Sequence, residues 1–516
     1  MTATTTSSEA QGALAKFLRG VERAGNALPH PATLFLLLAL LVVLGSEIAV
    51  RAGVSAAEPG KPDVLVTPQS LLTLDGLHFM LTKMVTNFTA FAPLGTVLVS
   101  LLGIAVAEHS GLISAMMRLL VLSTPRKWLT PVVVFCGIQS NMASDVGYVL
   151  LIPLAGVIYH SVGRNPLLGL AAGFAGVSGG FSANLMLGSI DPLLSGLTQE
   201  AARILDPAAE VQPSCNYYFM FVSTFLLTAV GTWVTEKVIA PRLGAYQPDG
   251  DTAPSEKLEH LSTREKKALL SATVIAAVFG LVLLWSALPH GWLPGSGFLR
   301  DPKTGDLLRS PFMQSIVAFI FVGGVVCGVA YGWVAGTIRN DSDAMKGMGQ
   351  SMSAMGSYLV LVFFAAQFVE FFKWTNLGKI LAIEGAGLLA GIGFTGLPLL
   401  VCFIVLSMLV NLLMGSASAK WAFMAPVFVP MFMPLGIAPE ETQLAYRIGD
   451  SCTNVISPGN SYLALIIAFF QRYDKKAGIG TMVATMLPYS IVFFVAWAIF
   501  MIAWFLLGIP IGTVAA

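Results

Sequence analysis

Small polar residues interrupt apolar runs at corresponding places in the two halves of this chain. In the first half the interruptions are residues 137–145 (GIQSNMASD) and 176–184 (GVSGGFSAN), and in the second half they are residues 411–421 (NLLMGSASAKW) and 449–460 (GDSCTNVISPGN). A backbone group without a hydrogen-bond partner costs several kcal/mol in hydrocarbon, so broken helices persist at membrane depth only inside protein or beside a wet cavity. Paired interruptions in two halves therefore predict the solute-binding site of a transporter.

The most informative charged residue is Asp450, which lies inside a predicted membrane span. A carboxylate there costs a few kcal/mol unless it faces water, a cation or a partner. Arg447 stands three residues earlier on the same helix face, and we expect the two to pair, with Asp450 carrying a coupling cation and Arg447 tuning its charge or receiving a substrate carboxylate. The alternative is an ion pair that only holds the broken helix in place. Asp191 precedes Pro192, and an exposed turn explains this Asp-Pro pair nearly as well as a functional role of the carboxylate does.

The second hairpin and the hairpin tips supply aromatic and oxygen ligands. Trp421 could stack on an aromatic ring while Ser418 hydrogen-bonds its polar groups, the alternatives being a packing role and a helix cap. Asn141 and Asn411 place amide oxygens at the tips. Together with Asp450, these hard oxygen donors predict a Na⁺ site, although Asn also caps helices routinely.

The composition of the chain places these residues in a membrane. Of its 516 residues 55% are hydrophobic and 11% are charged, against about 25% charged in an ordinary soluble domain. A formal net charge of +1 offers no basic surface, so nucleic acid is excluded as a partner. The 5 cysteines show no C-x-x-C spacing, and we interpret them as buried hydrophobic residues.

Hydropathy predicts an all-α polytopic membrane protein with about nine spanning helices, each containing the ~20 apolar residues that a span requires. The predicted spans are roughly 31–50, 78–107, 166–190, 216–240, 268–288, 313–336, 353–372, 440–470 and 478–508. Two further stretches, 128–160 and 398–437, contain central breaks and predict re-entrant helical hairpins arranged as an inverted repeat. Residues 374–396 predict an interfacial or tilted helix that leads to the second hairpin.

The distribution of Lys and Arg predicts the orientation. If the spans alternate in direction, the connections rich in Lys and Arg all fall on one side of the membrane, and an excess of these residues marks the cytoplasmic side. The predicted organisation is a cytoplasmic N-terminal segment (1–30), a first half (31–240), a cytoplasmic linker (241–267) and a second half (268–516). Basic residues flank the first hairpin and glutamates flank the second, so we expect insertion from the cytoplasm and from outside, respectively. An inverted repeat requires such opposite insertion.

Three sets of motifs extend this interpretation: residues 178–184 (SGGFSAN) with Asp191-Pro192, residues 415–422 (GSASAKWA), and residues 446–451 (YRIGDS) with 457–459 (SPG). They resemble the AbgT family of bacterial p-aminobenzoyl-glutamate transporters, and the resemblance runs over nearly the whole chain. It implies a homodimer in the bacterial inner membrane with nine spans and two hairpins per subunit, and some members resemble exporters of sulfonamide antimetabolites. The family positions that matter for transport match here at Asp191, Asn411, Ser418, Trp421, Pro439, Arg447, Asp450 and Pro458.

The sequence thus predicts a secondary transporter of p-aminobenzoyl-glutamate and related aromatic anions, without a resident cofactor. No G-x-x-x-x-G-K-[ST] motif occurs, so an H⁺ or Na⁺ gradient should supply the energy. The direction of transport, including export of sulfonamide antimetabolites, stays open. The alternatives are a carrier for another small carboxylate in the same superfamily, and an intramembrane serine hydrolase built on the G-x-S-x-G pattern at 176–180. The hydrolase is disfavoured, because the 6 histidines fall at predicted span ends or in loops.

Overall fold

The computed structural model of the chain describes residues 29–58, 61–142, 147–244, 246, 261–307 and 310–513. These residues are nearly all helical, and the one sheet among them is an antiparallel pair, β1 (Ala56–Glu58) and β2 (Lys61–Val66). Most of the predicted N-terminal segment 1–30 and part of the predicted linker 241–267 lie outside the described residues. The boundaries predicted for the two halves stay predictions.

The helices of the first half are α1 (Pro31–Arg51), α2 (Leu74–Thr89), α3 (Ala92–His109), α4 (Leu112–Leu122), α5 (Leu129–Ser140), α6 (Ile152–Ser161), α7 (Pro166–Phe174), α8 (Ile190–Ala202), α9 (Tyr217–Trp233) and α10 (Ala240–Leu243). Those of the second half are α11 (Thr263–Ala287), α12 (Pro311–Gln314), α13 (Ile316–Ala335), α14 (Asp341–Ala354), α15 (Gly356–Trp374), α16 (Leu377–Gly391), α17 (Gly396–Leu413), α18 (Ala417–Phe432), α19 (Pro439–Asn454), α20 (Leu463–Gln471) and α21 (Ile479–Leu506). Wider π-helical turns occupy Gly147–Leu151, Ala175–Gly179 and Val234–Ile239, and 3₁₀ turns occupy Arg126–Trp128 and Met433–Leu435.

Among the described residues, 8 helical segments are long and apolar enough to cross a membrane. The number becomes 9 if α4 and the segment Arg126–Ser140, bent by 117° at their junction, form one span. The number agrees with the prediction of about nine spans. The counted segments include α17, which was predicted as an arm of the second hairpin, and do not include the predicted spans 166–190 and 440–470. The α16 helix occupies most of the stretch 374–396 and is a separate helix of 15 residues.

The predicted spans 166–190 and 440–470 are each interrupted, and the interruptions overlap the polar segments 176–184 and 449–460 of the sequence. The α7 helix passes into the π-helical turns Ala175–Gly179, and regular structure resumes only at α8, so we call residues 175–189 the first break. The α19 helix ends at Asn454 and α20 begins at Leu463, and we call residues 455–462 the second break. A hydropathy average over about 19 residues does not show where such short breaks begin and end.

Each predicted hairpin is a pair of helices joined by a short connection. The first helix of each pair packs on the broken helix of the same half. The α5 helix packs on the π-helical turns after α7, and α17 packs on α19. Glycine makes both approaches close, since a Cβ on Gly137 would lie 2.8 Å from the Gly176 Cα and one on Gly449 would lie 2.5 Å from the Ile404 carbonyl oxygen. The same pairing in both halves agrees with the predicted repeat.

Local sequence signals set several helix ends. The α11 helix begins with a capping box, in which Ser262 and Glu265 each accept a hydrogen bond from the other's backbone N–H. The α13 helix ends at Gly336, whose φ of 80° suits the left-handed cap. Pro166 and Pro439 open α7 and α19 at the first helical position, where a missing N–H leaves no hydrogen bond unmade.

Several of the remaining long helices pack on one another. The α13 helix packs against α3 and α11, and α15 packs against α1. The α11 helix leaves apolar side chains such as Leu270, Leu281 and Leu284 exposed. Such an apolar outer surface is what a lipid-facing helix requires.

Candidate functional site

The first break contacts the second break and the last turns of α19. The Asn460 Nδ2 donates to the Ser178 Oγ over 3.2 Å, and the Ser182 N–H donates to the Ser451 Oγ over 3.2 Å. The Arg447 Nη2 donates to the Ser182 carbonyl over 2.9 Å. The interrupted segments that the sequence singled out in each half therefore meet in one polar region.

Each hairpin tip is tied to the broken helix of its own half by an asparagine. The Asn141 Nδ2 donates to the Val177 carbonyl over 2.9 Å, and the Asn411 Nδ2 donates to the Asp450 carbonyl over 2.6 Å. The Ser457 Oγ in turn donates to the Asn411 carbonyl over 2.8 Å. Both asparagines thus hold a tip against a backbone carbonyl at a corresponding place in the two halves.

The predicted ion pair between Arg447 and Asp450 is wrong. Arg447 pairs with Asp191 on α8, with Nη2 and Oδ1 2.8 Å apart. Asp450 pairs instead with Lys420 on α18. The α19 helix contacts α8, α17 and α18, so Arg447 and Asp450 reach different neighbours although they share one face of the helix.

Asp191 is therefore not the residue of an exposed turn. Its side chain is only 6% exposed, and its Oδ2 accepts a hydrogen bond from the Gly188 N–H over 2.7 Å. The carboxylate lies at the start of α8 and reaches across to the second half through Arg447. The burial of the pair gives Asp191 a role that composition and turn propensity alone did not show.

Lys420 is the residue that the sequence interpretation missed. Its side chain is fully buried, and its Nζ contacts both the Asp450 Oδ1 and the Asn411 Oδ1. One signal could have found it, since Lys420 is the one charged residue in the stretch 398–437. A charge inside a membrane-embedded segment is a functional candidate by default.

The charges of Asp191, Arg447, Lys420 and Asp450 cancel as two pairs, and each pair links separate helices. Removing one partner of a buried ion pair costs about 3–5 kcal/mol, because the other charge is left without compensation. The Asp191–Arg447 pair connects the two halves of the chain, whereas Lys420–Asp450 connects the second hairpin to the second broken helix. Together the two pairs form a site without net charge that joins the two halves of the chain and the second hairpin.

Trp421 is packed inside the protein. It is fully buried and stacks on the Tyr446 ring with centroids 4.4 Å apart. Its Nε1 donates to the Thr198 Oγ1 over 2.9 Å, and that hydroxyl donates to the Gln443 Oε1 over 2.6 Å. In this conformation the indole makes the contacts of the packing alternative, and its stacking on a solute ring stays a prediction.

The serine and proline candidates lie around the edges of the site. Ser416, rather than Ser418, is the N-cap of α18, because its Oγ accepts a hydrogen bond from the Ala419 N–H. Ser418 is half-buried and 3.2 Å from the Ser416 Oγ. Pro439 opens α19 and Pro458 lies in the second break, so both sit where the helix begins or is interrupted.

The structure brings together two of the three predicted Na⁺ ligands. The oxygens of Asn411 and Asp450 converge on the Lys420 ammonium, so hard donors already surround a cation there. Asn141 lies at the other tip, and its Oδ1 is buried with no hydrogen-bond partner among the residues described. No hydrogen bond in the described part of the chain joins Asn141 to the other two.

The chain matches known proteins over nearly its full length. A family model described as the AbgT putative transporter family matches residues 16–516. The chain belongs to the AbgT family. It is 38% identical over 494 residues to the p-aminobenzoyl-glutamate transport protein of Escherichia coli (strain K12), an alignment that covers 95% of each protein.

Two solved structures resemble this AbgT chain closely. MtrF of Neisseria gonorrhoeae, which is ascribed to a class of antimetabolite efflux pumps, superimposes with a TM-score of 0.91 and 49% identity over 97% of this chain and 100% of that chain. The YdaH transporter of Alcanivorax borkumensis, described as having an unusual topology, gives a TM-score of 0.87 and 42% identity over 94% of this chain and 100% of that chain. The predicted family and fold class are confirmed.

Membership of the AbgT family makes this chain a transporter rather than an enzyme. The alternative of a serine hydrolase at the 176–180 pattern is therefore withdrawn. Ser178 has a structural explanation instead, since its Oγ accepts the hydrogen bond from Asn460 that connects the two breaks.

Proposed function

We propose that this AbgT chain is an ion-gradient-driven secondary transporter of p-aminobenzoyl-glutamate and related aromatic anions, with sulfonamide antimetabolites among the solutes it exports. The observation that carries the proposal is the pair of buried ion pairs, Asp191–Arg447 and Lys420–Asp450, where the two breaks meet. Buried charge in a membrane protein marks a pathway for ions or charged solutes. The substrates named for the E. coli relative and the efflux role named for MtrF support the solute class.

The substrate roles follow from the chemistry of the side chains at the site. Arg447 offers a planar guanidinium to a glutamate carboxylate, and Trp421 offers a ring surface to the benzoyl group. Both side chains are engaged here, Arg447 by Asp191 and Trp421 by Tyr446. Substrate binding therefore requires α8 and α18 to shift relative to α19. We place this shift within the movement of the hairpins and broken helices that alternating access uses.

The coupling ion in this proposal is H⁺ or Na⁺ carried at Asp450. For Na⁺ the residues fit, because the Asn411 and Asp450 oxygens already converge on a positive charge and Na⁺ prefers such hard oxygen donors. Asn141 adds an oxygen without a partner among the described residues at the corresponding tip of the first half. When bound, Na⁺ would supply positive charge opposite Asp450, and no resident cofactor is needed.

The proposal also includes the setting of the protein. We place it as a homodimer in the bacterial inner membrane, with a cytoplasmic N-terminus and hairpins inserted from opposite sides. The exposed apolar surfaces of helices such as α11 support contact with lipid. The Arg and Lys asymmetry of the connections supports the orientation.

The test is flux of labelled p-aminobenzoyl-glutamate in proteoliposomes under imposed H⁺ and Na⁺ gradients in turn. Wild-type protein should accumulate or expel the label against its gradient, and the sign identifies import or export. Asp450→Asn should abolish coupled flux while size-exclusion chromatography still shows folded dimer. The matched control is Asp75→Asn, which alters an exposed carboxylate on α2 and should transport like wild type. Coupled flux at the wild-type rate from Asp450→Asn would remove Asp450 from the coupling mechanism.

A further inference from the structure

The most unusual contact in the site is that of the Lys420 ammonium with the two oxygens that suit a coupling cation. Its Nζ contacts the Asp450 Oδ1 and the Asn411 Oδ1, and the side chain is fully buried. A lysine ammonium and Na⁺ carry the same charge and compete for the same hard oxygens. Both cannot occupy this position together.

The Asn411 amide is oriented for this role by contacts at its other end. Its Nδ2 lies 2.6 Å from the Asp450 carbonyl oxygen and 2.9 Å from both the Thr453 Oγ1 and the Asn454 Oδ1. Those acceptors hold the nitrogen and leave the amide oxygen facing Lys420. The cation position is therefore built by α17 and α19, and the lysine reaches it from α18.

Lys420 lies close to the tip of the second hairpin. It is in the first turn of α18, one helical turn after the exposed Ser416. The nearby guanidinium of Arg447 already pairs with Asp191. If a free cation takes Asp450, Lys420 is thus the positive charge that is released, and a buried ammonium without a partner is costly.

We propose that Lys420 is a tethered cation that yields Asp450 and Asn411 to Na⁺ and then pairs with a carboxylate of the anionic substrate. This inference rests on the proposed transport function and deepens it. The exchange leaves neither Asp450 nor Lys420 without a partner, since Na⁺ takes the Asp450 carboxylate while one carboxylate of the substrate takes the Lys420 ammonium. Na⁺ and the substrate must then strengthen each other's binding by the same factor, because coupling between two sites is reciprocal.

The experiment measures the affinity of purified full-length protein for p-aminobenzoyl-glutamate by titration calorimetry, in NaCl and in choline chloride of equal ionic strength. In wild type, replacing choline by Na⁺ should raise the affinity about tenfold, within the usual range of such couplings. In Lys420→Met, Na⁺ should no longer change the affinity for the anion. Na⁺ alone should instead raise the thermal unfolding midpoint of this variant at lower concentrations than it does in wild type.

Two variants control for charge and for general loss of a lysine. Lys420→Arg keeps a tethered cation and should keep the Na⁺-dependent rise in affinity. Lys379→Met removes the ion pair of Lys379 with Glu58, 3.0 Å apart and outside the site, and should behave like wild type. Equal Na⁺ dependence in wild type and Lys420→Met would overturn the proposal.

If Lys420→Met fails to fold, the measurements on wild-type protein alone still test the exchange of Lys420 for Na⁺. An affinity for p-aminobenzoyl-glutamate that is the same in NaCl and in choline chloride overturns the exchange, while coupled flux in proteoliposomes leaves the transport function standing. Failure of the transport function is distinguishable, because wild-type vesicles would then move no label under either gradient. Any rise in affinity with Na⁺ that Lys420→Arg retains and Lys420→Met loses supports the exchange.

Discussion

The ion pair between Asp191 and Arg447 should be a measurable link between the two halves. The Arg447 Nη2 and the Asp191 Oδ1 are 2.8 Å apart, and their side chains are 1% and 6% exposed. At this separation and an effective dielectric constant of about 20, the attraction is about 6 kcal/mol before desolvation is subtracted. Removing one partner of a buried pair should therefore destabilise the fold by about 3–5 kcal/mol.

The assay is a double-mutant cycle on thermal unfolding in detergent, with Asp191→Asn, Arg447→Gln and the combined variant. For 516 residues the unfolding entropy is about 1 kcal/mol/K, so each single variant should lower the midpoint by about 3–5 °C. The combined variant should lose less than the sum of the two, because no buried charge is left alone, with a coupling of about 2 kcal/mol or more.

The comparison within the chain is the Arg51–Glu47 pair on α1. Its arginine side chain is 79% exposed, and the corresponding cycle should give a coupling below about 1 kcal/mol. Effects of Asp191→Asn and Arg447→Gln that add within about 0.5 kcal/mol would refute the assignment of the pair.

Two further predictions concern packing at the site. Trp421→Ala should lower the unfolding midpoint by several degrees, since truncating a buried Trp costs about 3–5 kcal/mol. It should also weaken the binding of p-aminobenzoyl-glutamate measured by calorimetry. An affinity equal to that of wild type would support the packing role of Trp421 alone. Gly449→Ala should lower the midpoint and slow flux, because its Cβ would lie 2.5 Å from the Ile404 carbonyl oxygen. Gly349 has open space around it in the exposed part of α14, so Gly349→Ala should instead raise the free energy of unfolding by about 0.5–1 kcal/mol and raise the midpoint slightly. Equal midpoint shifts in the two glycine variants would contradict the close packing of α17 on α19.

The sequence was sufficient for the membrane class, the number of spans and the places where helices break. These features depend on local composition, and residues such as Asn141 and Asn411 mark tips because amides are rare in apolar runs. The ends of the helices inside 166–190 and 440–470 were hidden, since a hydropathy average over about 19 residues blends a short break with the apolar helix beside it. The polar motifs in these two spans identified the segments that contain the breaks but not the residues at which each helix ends.

The side-chain partners at the site could not be predicted from local patterns. Arg447 has Asp450 as a neighbour three residues away, yet it pairs with Asp191 on another helix. Trp421 finds Thr198 in the other half of the chain. Helix spacing describes one helix, whereas these partners are chosen by how α8, α18 and α19 pack together. The lone charge of Lys420 in its hairpin was the one local sign of the second pair.

The cross-pairing of Asp191 with Arg447 has a consequence for biogenesis. Of the four buried charges at the site, the first half supplies a single anion and the second half supplies two cations and one anion. A ribosome that has finished only the first half has inserted an orphan carboxylate, and the second half alone carries a surplus of one positive charge. The Asp191 carboxylate therefore has its cation only after the second half has been inserted and has packed against the first.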